Sequence, residues 1–182
     1  MPNDQALLVM DVQKWVVGHS GADAVLGPIA AAQEAARAAG VPVVHVHIGF
    51  RPGYPEISDD NGMFSAVRSA PALGDPQLWE PCEPTQPREG ELVVVKHRVS
   101  AFSGSDLDML LRSMGIRRLT LTGVATSGVV LSTVCEAADR DFVLTVLSDA
   151  CADPVEAVHQ TLVEQVLPMR AEVATVASWS AV

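Results

Sequence analysis

The chain has 182 residues, of which 48% are hydrophobic and 19% charged, and its formal net charge is −10 at pH 7. This length and balance predict a single domain, residues 1–182, that buries a sizeable core. The acidic charge argues against a nucleic-acid partner, whose phosphates need a basic face, and the scattered lysines and arginines indicate no binding to a membrane.

Short apolar segments alternate with helical segments along the chain. The predicted strands are 6–10, 41–48, 92–95, 119–122, 142–147 and 172–176, and the predicted helices are 28–39, 106–114, 128–140 and 155–167. Gly40 and Gly115 follow two of the helices, as helix-ending glycines do. Strands that alternate with helices predict a parallel sheet covered by helices on both faces.

Residues 49–91 interrupt this alternation. Seven of the chain's twelve prolines fall here, and no strand or helix pattern is sustained. Long loops in α/β proteins usually shape a site or an interface. We therefore expect this proline-rich segment to be an irregular loop with such a role.

Cysteine usage and the first apolar segment predict a cytoplasmic location. Cys82, Cys135 and Cys151 form no CxxC pair, and an odd count is typical of reduced thiols. The apolar run near the N-terminus is about six residues long, too short for a signal peptide or a membrane span.

Polar residues stand at the ends of three predicted strands. Asp11 follows ALLVM, Lys96 follows LVVV, and the Gly123 turn follows LTLT. Ligands of open parallel sheets bind beyond the carboxyl ends of the strands. A carboxylate and an ammonium buried there would offset each other's desolvation cost, and pairing would lower the Asp11 pKa. The alternative is an ion pair that only fixes this edge of the sheet.

The segment 120–133, TLTGVATSGVVLST, predicts a strand, a turn and the start of a helix. This geometry directs backbone N–H groups and the positive end of a helix to one point. Hydrolases use such a point for a nucleophile or an oxyanion. The positions suited to a cysteine nucleophile hold Ser127, Gly128 and Val129 instead.

Three blocks resemble the signatures of the isochorismatase-like hydrolases, which include nicotinamidases, N-carbamoylsarcosine amidohydrolase and isochorismatase. They are DVQ at 11–13, KHRVSAF at 96–102 and GVATSGVVLST at 123–133. The resemblance implies a three-layer α/β/α Rossmann-like fold with a six-stranded parallel sheet in the order 3-2-1-4-5-6. It also implies that Asp11 is the acid or base, that Lys96 is its partner, and that the Val124–Ala125 peptide bond is cis.

The sequence departs from the family at the cysteine that its amidohydrolases use. Without gaps that cysteine aligns with Val129, and a shift of one residue aligns it with Gly128. Neither side chain can attack a carbonyl. Isochorismatases also lack the thiol, and in them the Asp is thought to protonate an enol ether. We therefore favour cysteine-independent hydrolysis of an ether or enol ether, with Asp11 as the acid, over amide hydrolysis through Ser127.

The other candidate side chains each have an alternative role. Ser127 is either a nucleophile or, as serine commonly is at this position, a helix-capping hydroxyl. The guanidinium group of Arg51 is suited to bind a carboxylate, and Arg51 and Tyr54 are predicted substrate contacts. Both lie in the irregular loop, and the alternative for Arg51 is a surface position. Trp15 and Phe102 would line the pocket or pack in the core. The backbone of Ala125, Thr126, Gly128 and Val129 would bind an oxyanion or carboxylate.

No metal or cofactor is predicted. His45 and His47 alternate on a strand, and nicotinamidases of the resembled family carry a metal. Their ligands are an Asp and two histidines in the loop after the second strand, where this chain reads GFRPGYPEISDDN and has no histidine.

The expected protein is thus a hydrolase of a small molecule that forms a homodimer or a higher homo-oligomer, as family members commonly do. The alternative is an inactive family member that binds a small molecule or takes part in an assembly. The apolar GVVL at the helix start favours this alternative, whereas the retention of Asp11 and Lys96 argues against it.

Overall fold

The computed structural model describes residues 4–69 and 75–179. Its six strands are β1 (Gln5–Met10), β2 (Val43–Ile48), β3 (Leu92–Lys96), β4 (Arg118–Val124), β5 (Val143–Ala152) and β6 (Glu172–Ala174). All neighbouring strands are parallel, and they form one sheet in the order β3-β2-β1-β4-β5-β6. The predicted fold class and strand order are confirmed.

The helices are α1 (Lys14–Ser20), α2 (Leu26–Ala38), α3 (Gly62–Arg68), α4 (Leu107–Ser113), α5 (Leu131–Asp139) and α6 (Glu156–Thr161). Two π-helical turns, Thr126–Val130 and Leu162–Val166, precede α5 and follow α6. Within residues 4–69 and 75–179, no helix is both long enough and apolar enough to cross a membrane.

Helices cover both faces of the sheet because the central strand is apolar on both sides. Leu8 and Met10 of β1 belong to one buried cluster, which includes Leu107 and Leu111 of α4. Leu7 and Val9 belong to a second cluster with α2. Every residue of β1 is buried, as expected of a strand inside a parallel α/β sheet.

Three elements differ from the sequence prediction. The short helix α1 was not expected, and α3 lies inside the segment predicted to be irregular. Strand β5 continues through the polar SDACA to Ala152, five residues past its predicted end at Leu147. This extension pairs with β4 across a register shift between Leu121 and Gly123, which brings Cys151 beside Gly123. Local apolar pattern does not signal a strand of that composition.

The carboxyl ends of the central strands meet at one edge of the sheet. Met10 pairs with Val46 on one side and with Gly123 on the other, and Ile48 pairs with Lys96. Gly123 has a φ of +147°, and a Cβ at this position would lie 2.3 Å from the carbonyl oxygen of Met10. The sequence therefore needs glycine here for β4 to approach the end of β1.

Candidate active site

Asp11 and Lys96 form a buried ion pair at this edge of the sheet. Lys96 Nζ lies 2.8 Å from Asp11 Oδ2. Lys96 is 1% exposed and Asp11 is 7% exposed. Since β2 lies between β1 and β3, the long lysine side chain reaches across the end of β2. Asp11 has a φ of +56°, an uncommon conformation for a non-glycine residue that turns the chain sharply after β1.

The two charged groups are only partly satisfied. The Lys96 ammonium also donates to the Arg98 carbonyl at 2.9 Å. Asp11 Oδ1 is buried and has no hydrogen-bond partner among the described residues. A buried polar atom without a partner is costly, so this oxygen is positioned to meet a ligand or a water molecule.

Burial controls the proton affinity of Asp11. Desolvation raises the pKa of its carboxyl above the ordinary value, and the nearby Lys96 charge and hydrogen bond oppose this rise without cancelling it. Pairing was expected to lower this pKa, and Lys96 does act in that direction. Burial outweighs the lysine because the carboxyl is removed from water more completely than the sequence reveals.

A cavity of about 240 Å³ lies beside the pair. Its walls come from α1, α3, the ends of β2 and β4, and the turn before α5. The lining residues are Asp11, Trp15, Val16, His19, Ser20, Ile48, Met63, Phe64, Trp79, Lys96, Val99, Val124, Ala125, Gly128 and Val129. Trp15 contacts His19 and Trp79, with ring centroids 5.2 and 5.6 Å apart. The ion pair therefore stands in a mostly apolar, partly aromatic enclosure.

The turn after β4, which contains the position of the family's cysteine, forms one wall of the cavity. The Val124–Ala125 peptide bond is cis, as predicted. Ala125, Gly128 and Val129 line the cavity, and Val129 is 3% exposed. Thr126 is not a lining residue: its hydroxyl is hydrogen-bonded to the buried ring of His159 at 2.8 Å. Thr126 thus anchors the turn to α6.

Ser127 lies outside the cavity. The residue is exposed, and its backbone N–H donates to Asp153 Oδ2 at 2.8 Å. The π-helical turn has no side-chain cap, so neither sequence interpretation of this hydroxyl, nucleophile or N-cap, describes its position. Asp153 satisfies the backbone donor instead.

Three other predicted contacts are also not among the cavity-lining residues. Arg51 is 69% exposed at its side chain and pairs with Glu56 at 2.6 Å. With Tyr54 it borders a neighbouring pocket that shares Trp79. Phe102 packs in the core, stacked on Phe142 with ring centroids 5.8 Å apart. Of the predicted aromatic walls, only Trp15 lines the cavity.

Gln13, which connects the walls of the cavity by hydrogen bonds, was not predicted from the sequence as a site residue. Gln13, 2% exposed, donates to the carbonyls of Ile48 and Trp79 at 3.1 and 2.8 Å. It also accepts from the Ile48 N–H at 3.0 Å. Gln13 therefore fixes the end of β2 and Trp79 to the segment that carries Asp11. Its place in the DVQ block was the available signal.

His45, His47 and the three thiols lie outside the cavity lining. His45 is buried against Glu91, 3.1 Å away, and burial lowers the pKa of His47 to about 4. No group of three or more His, Cys, Asp or Glu side chains within residues 4–69 and 75–179 is arranged to hold a metal ion. All three cysteines are free and absent from the cavity lining. Burial raises the pKa of Cys151 to about 12, so its thiol is not a ready nucleophile.

Comparison with known proteins agrees with this geometry. The isochorismatase domain, as a protein-family model, matches residues 5–178. The chain is 31% identical over 173 residues to the ureidoacrylate amidohydrolase RutB of Pseudomonas syringae pv. syringae, covering 82% of this chain and 71% of the relative. For the same enzyme of Variovorax paradoxus the identity is 32%, with 81% and 68% covered.

Solved structures share the fold over almost the whole chain. An isochorismatase family protein from Burkholderia thailandensis is 31% identical with a TM-score of 0.83, and 97% of this chain and 94% of that one are covered. N-carbamoylsarcosine amidase from Thermoplasma acidophilum is 27% identical with a TM-score of 0.79, and 96% and 98% are covered. This chain belongs to the isochorismatase family.

Proposed function

We propose that this protein hydrolyses a small molecule by acid–base chemistry of Asp11 and Lys96, without a cysteine nucleophile. The favoured reaction is cleavage of an ether or enol ether. The observation that carries the proposal is the composition of the cavity. A buried carboxylate–ammonium pair adjoins Val129, and the lining contains no thiol. Among the described residues that line the cavity, the one hydroxyl side chain is Ser20, which ends α1, about 9 Å along the helix axis from its start.

For an enol ether, Asp11 transfers its proton to the outer carbon of the double bond, which leaves a positive charge shared by the other carbon and its ether oxygen. Water attacks that carbon and returns a proton to the Asp11 carboxylate, and the hemiketal that forms breaks its carbon–oxygen bond to release an alcohol and a carbonyl product. For a saturated ether, Asp11 instead protonates the ether oxygen as the carbon–oxygen bond breaks, and water attacks the carbon that has lost the electron pair. The raised pKa of Asp11 supports the first step, because an acid must hold a proton at the working pH. Lys96 fixes the carboxylate and stabilises the charge that forms on it. Val129 has no part in bond formation.

Amide hydrolysis is a second candidate. The relatives named above are amidohydrolases and an amidase, and these names do not support the preference for an ether. In this chain an amide would have to be attacked by water activated at Asp11, since the cavity lining offers no thiol. The exposed position of Ser127 does not favour attack through its hydroxyl.

A screen of the purified protein against matched substrates separates these candidates. Enol ethers, ethers and amides that share one apolar body should be tested side by side for turnover. The proposal expects turnover of an ether or enol ether, and turnover of amides alone would support the second candidate. If no substrate turns over and Asp11→Asn raises thermal stability, the protein is an inactive binding or assembly member of the family.

The pH dependence gives the direction of proton transfer. If Asp11 is the acid, kcat/KM is expected to be highest while its carboxyl is protonated and to fall as pH rises through its raised pKa. A pH–rate profile checks this. An activity that instead rises with pH through that range would identify Asp11 as a base and would contradict ether protonation.

We also propose a homo-oligomer and a cytoplasmic location. Strand β3 is an edge of the sheet, and Val93 and Val95 on it are 48% and 49% exposed, which supports burial against another copy. The three free thiols are typical of a reducing compartment. Light scattering at micromolar concentration tests the oligomer, and a strict monomer would contradict it.

A further inference from the structure

We propose that the cavity beside Asp11 and Lys96 selects an uncharged, largely apolar ligand about the size of a substituted benzene ring, and disfavours carboxylates. This inference rests on the proposed function in taking the ligand to be the substrate. It goes further by naming the substrate class.

Lysine and arginine side chains are scarce in the cavity lining. The chain has twelve lysines and arginines, and all of them lie within the described residues. Lys96 is the only one among the cavity-lining residues. The segment 70–74, which lies outside the described residues in the long loop, reads APALG and contributes no charge. A carboxylate in the cavity would therefore have no lysine or arginine of its own, and the other basic side chain among the described lining residues is the imidazole of His19.

Three cations on the neighbouring segments are already paired with carboxylates, whereas Arg98, next to the lining residue Val99, donates to the His97 carbonyl at 2.6 Å. Lys14, at the start of α1, lies 2.7 Å from Glu80, and Arg51, after β2, lies 2.6 Å from Glu56. Arg68, at the end of α3, pairs with Asp59. Each would have to leave its carboxylate to serve an anionic ligand.

Burying an anion at this place is costly. An incoming carboxylate would meet the Asp11 carboxyl group and walls made mostly of indole, phenyl and aliphatic side chains, with the His19 imidazole among them. Removal from water without a dedicated counter-charge is strongly unfavourable. A neutral polar group avoids this cost. It can accept a hydrogen bond from the remaining N–H of the Lys96 ammonium, whose other N–H groups point to Asp11 and the Arg98 carbonyl, and it can contact the unpartnered Oδ1 of Asp11.

The size and shape of the cavity suit a small ring. An apolar protein cavity of about 150 Å³ holds benzene, so a cavity of about 240 Å³ accommodates a ring with a short substituent. Trp15, Phe64 and Trp79 provide flat apolar surfaces against which such a ring packs.

Binding of benzamide and benzoate, a neutral and an anionic molecule of equal size, tests the proposal by calorimetry at pH 8. Benzamide is expected to bind at least about tenfold more tightly than benzoate. Equal or tighter binding of benzoate would overturn the proposal, as would the absence of saturable benzamide binding up to about 10 mM.

A matched pair of variants tests whether the cavity itself causes the preference for benzamide over benzoate. Met63 lines the cavity and is 56% exposed, whereas Met109 on α4 is 64% exposed and is not a lining residue. Met63→Arg is expected to tighten benzoate binding at least about fivefold relative to benzamide, and Met109→Arg is expected to leave the ratio unchanged. Equal effects of the two variants would mean that net charge, not the cavity, sets the selectivity, and would overturn the proposal.

These measurements need no turnover, so the two proposals fail separately. Tighter binding of neutral than of anionic ligands, in a protein without hydrolase activity, would contradict the proposed function alone. Turnover that requires a carboxylate on the substrate would contradict only the proposed preference for uncharged ligands.

Discussion

Asp11→Asn is expected to lower kcat/KM by about 100- to 10,000-fold, the range that a general acid or base contributes. The change keeps the size of the side chain and removes the transferable proton of the carboxyl. Steady-state kinetics on the substrate identified by screening measures the effect. The rates should be compared at a temperature where circular dichroism shows both proteins folded, because the change also leaves the buried Lys96 without its counter-charge.

Asp139→Asn provides the matched control for this experiment. Asp139 is exposed at the end of α5 and far from the cavity lining, so its substitution removes the same charge from the protein. Its kcat/KM is expected to stay within about twofold of the original protein. Survival of turnover in Asp11→Asn would end the assignment of Asp11 as the proton donor.

Lys96→Met is expected to destabilise the protein by about 3–5 kcal/mol at pH 8, because it leaves the Asp11 carboxylate buried without a partner. For a chain of this length that corresponds to a fall in melting temperature of about 6–20 °C. Without the lysine the pKa of Asp11 rises further, and the carboxyl escapes the penalty by binding a proton. The loss should therefore shrink as pH falls through that raised pKa. Urea unfolding at several pH values measures it.

Two further variants isolate the cause of this destabilisation. Lys14→Met removes an exposed lysine that pairs with Glu80, and its melting temperature is expected to be indistinguishable from that of the original protein. The double variant Asp11→Asn/Lys96→Met has no buried charge at the site and is expected to be more stable than Lys96→Met alone. A double variant that is less stable than Lys96→Met would show that the loss comes from packing and not from an unpaired charge.

The central sheet and the ion pair were predictable because both follow from local sequence. Continuous apolar runs mark strands buried on both faces, and parallel strands bring the residues that follow them to one edge. Asp11 and Lys96 each stand directly at a strand end, so the topology alone places them near each other. The cis peptide bond at Val124–Ala125 came from the family resemblance in the GVAT segment.

The walls of the cavity were not predictable because they depend on contacts between distant segments. Trp79 and Phe64 come from the proline-rich loop, whose path is set by the hydrogen bonds of Gln13 and by packing against α1. Arg51 and Ser127 illustrate the converse. Both have suitable chemistry at suitable places in the sequence, but their contacts with Glu56 and Asp153 hold the two segments in positions that do not line the cavity.

The rate of a thiol-free protein tests the central claim most directly. Cys82, Cys135 and Cys151 are the only cysteines of the chain, and all three can be replaced by alanine in one variant. Our account predicts that this variant, measured at a temperature where it is folded, keeps kcat/KM within about threefold of the original protein and loses it when Asp11→Asn is added. A loss of about 100-fold or more in the thiol-free protein with Asp11 intact would contradict hydrolysis by Asp11 and Lys96 alone.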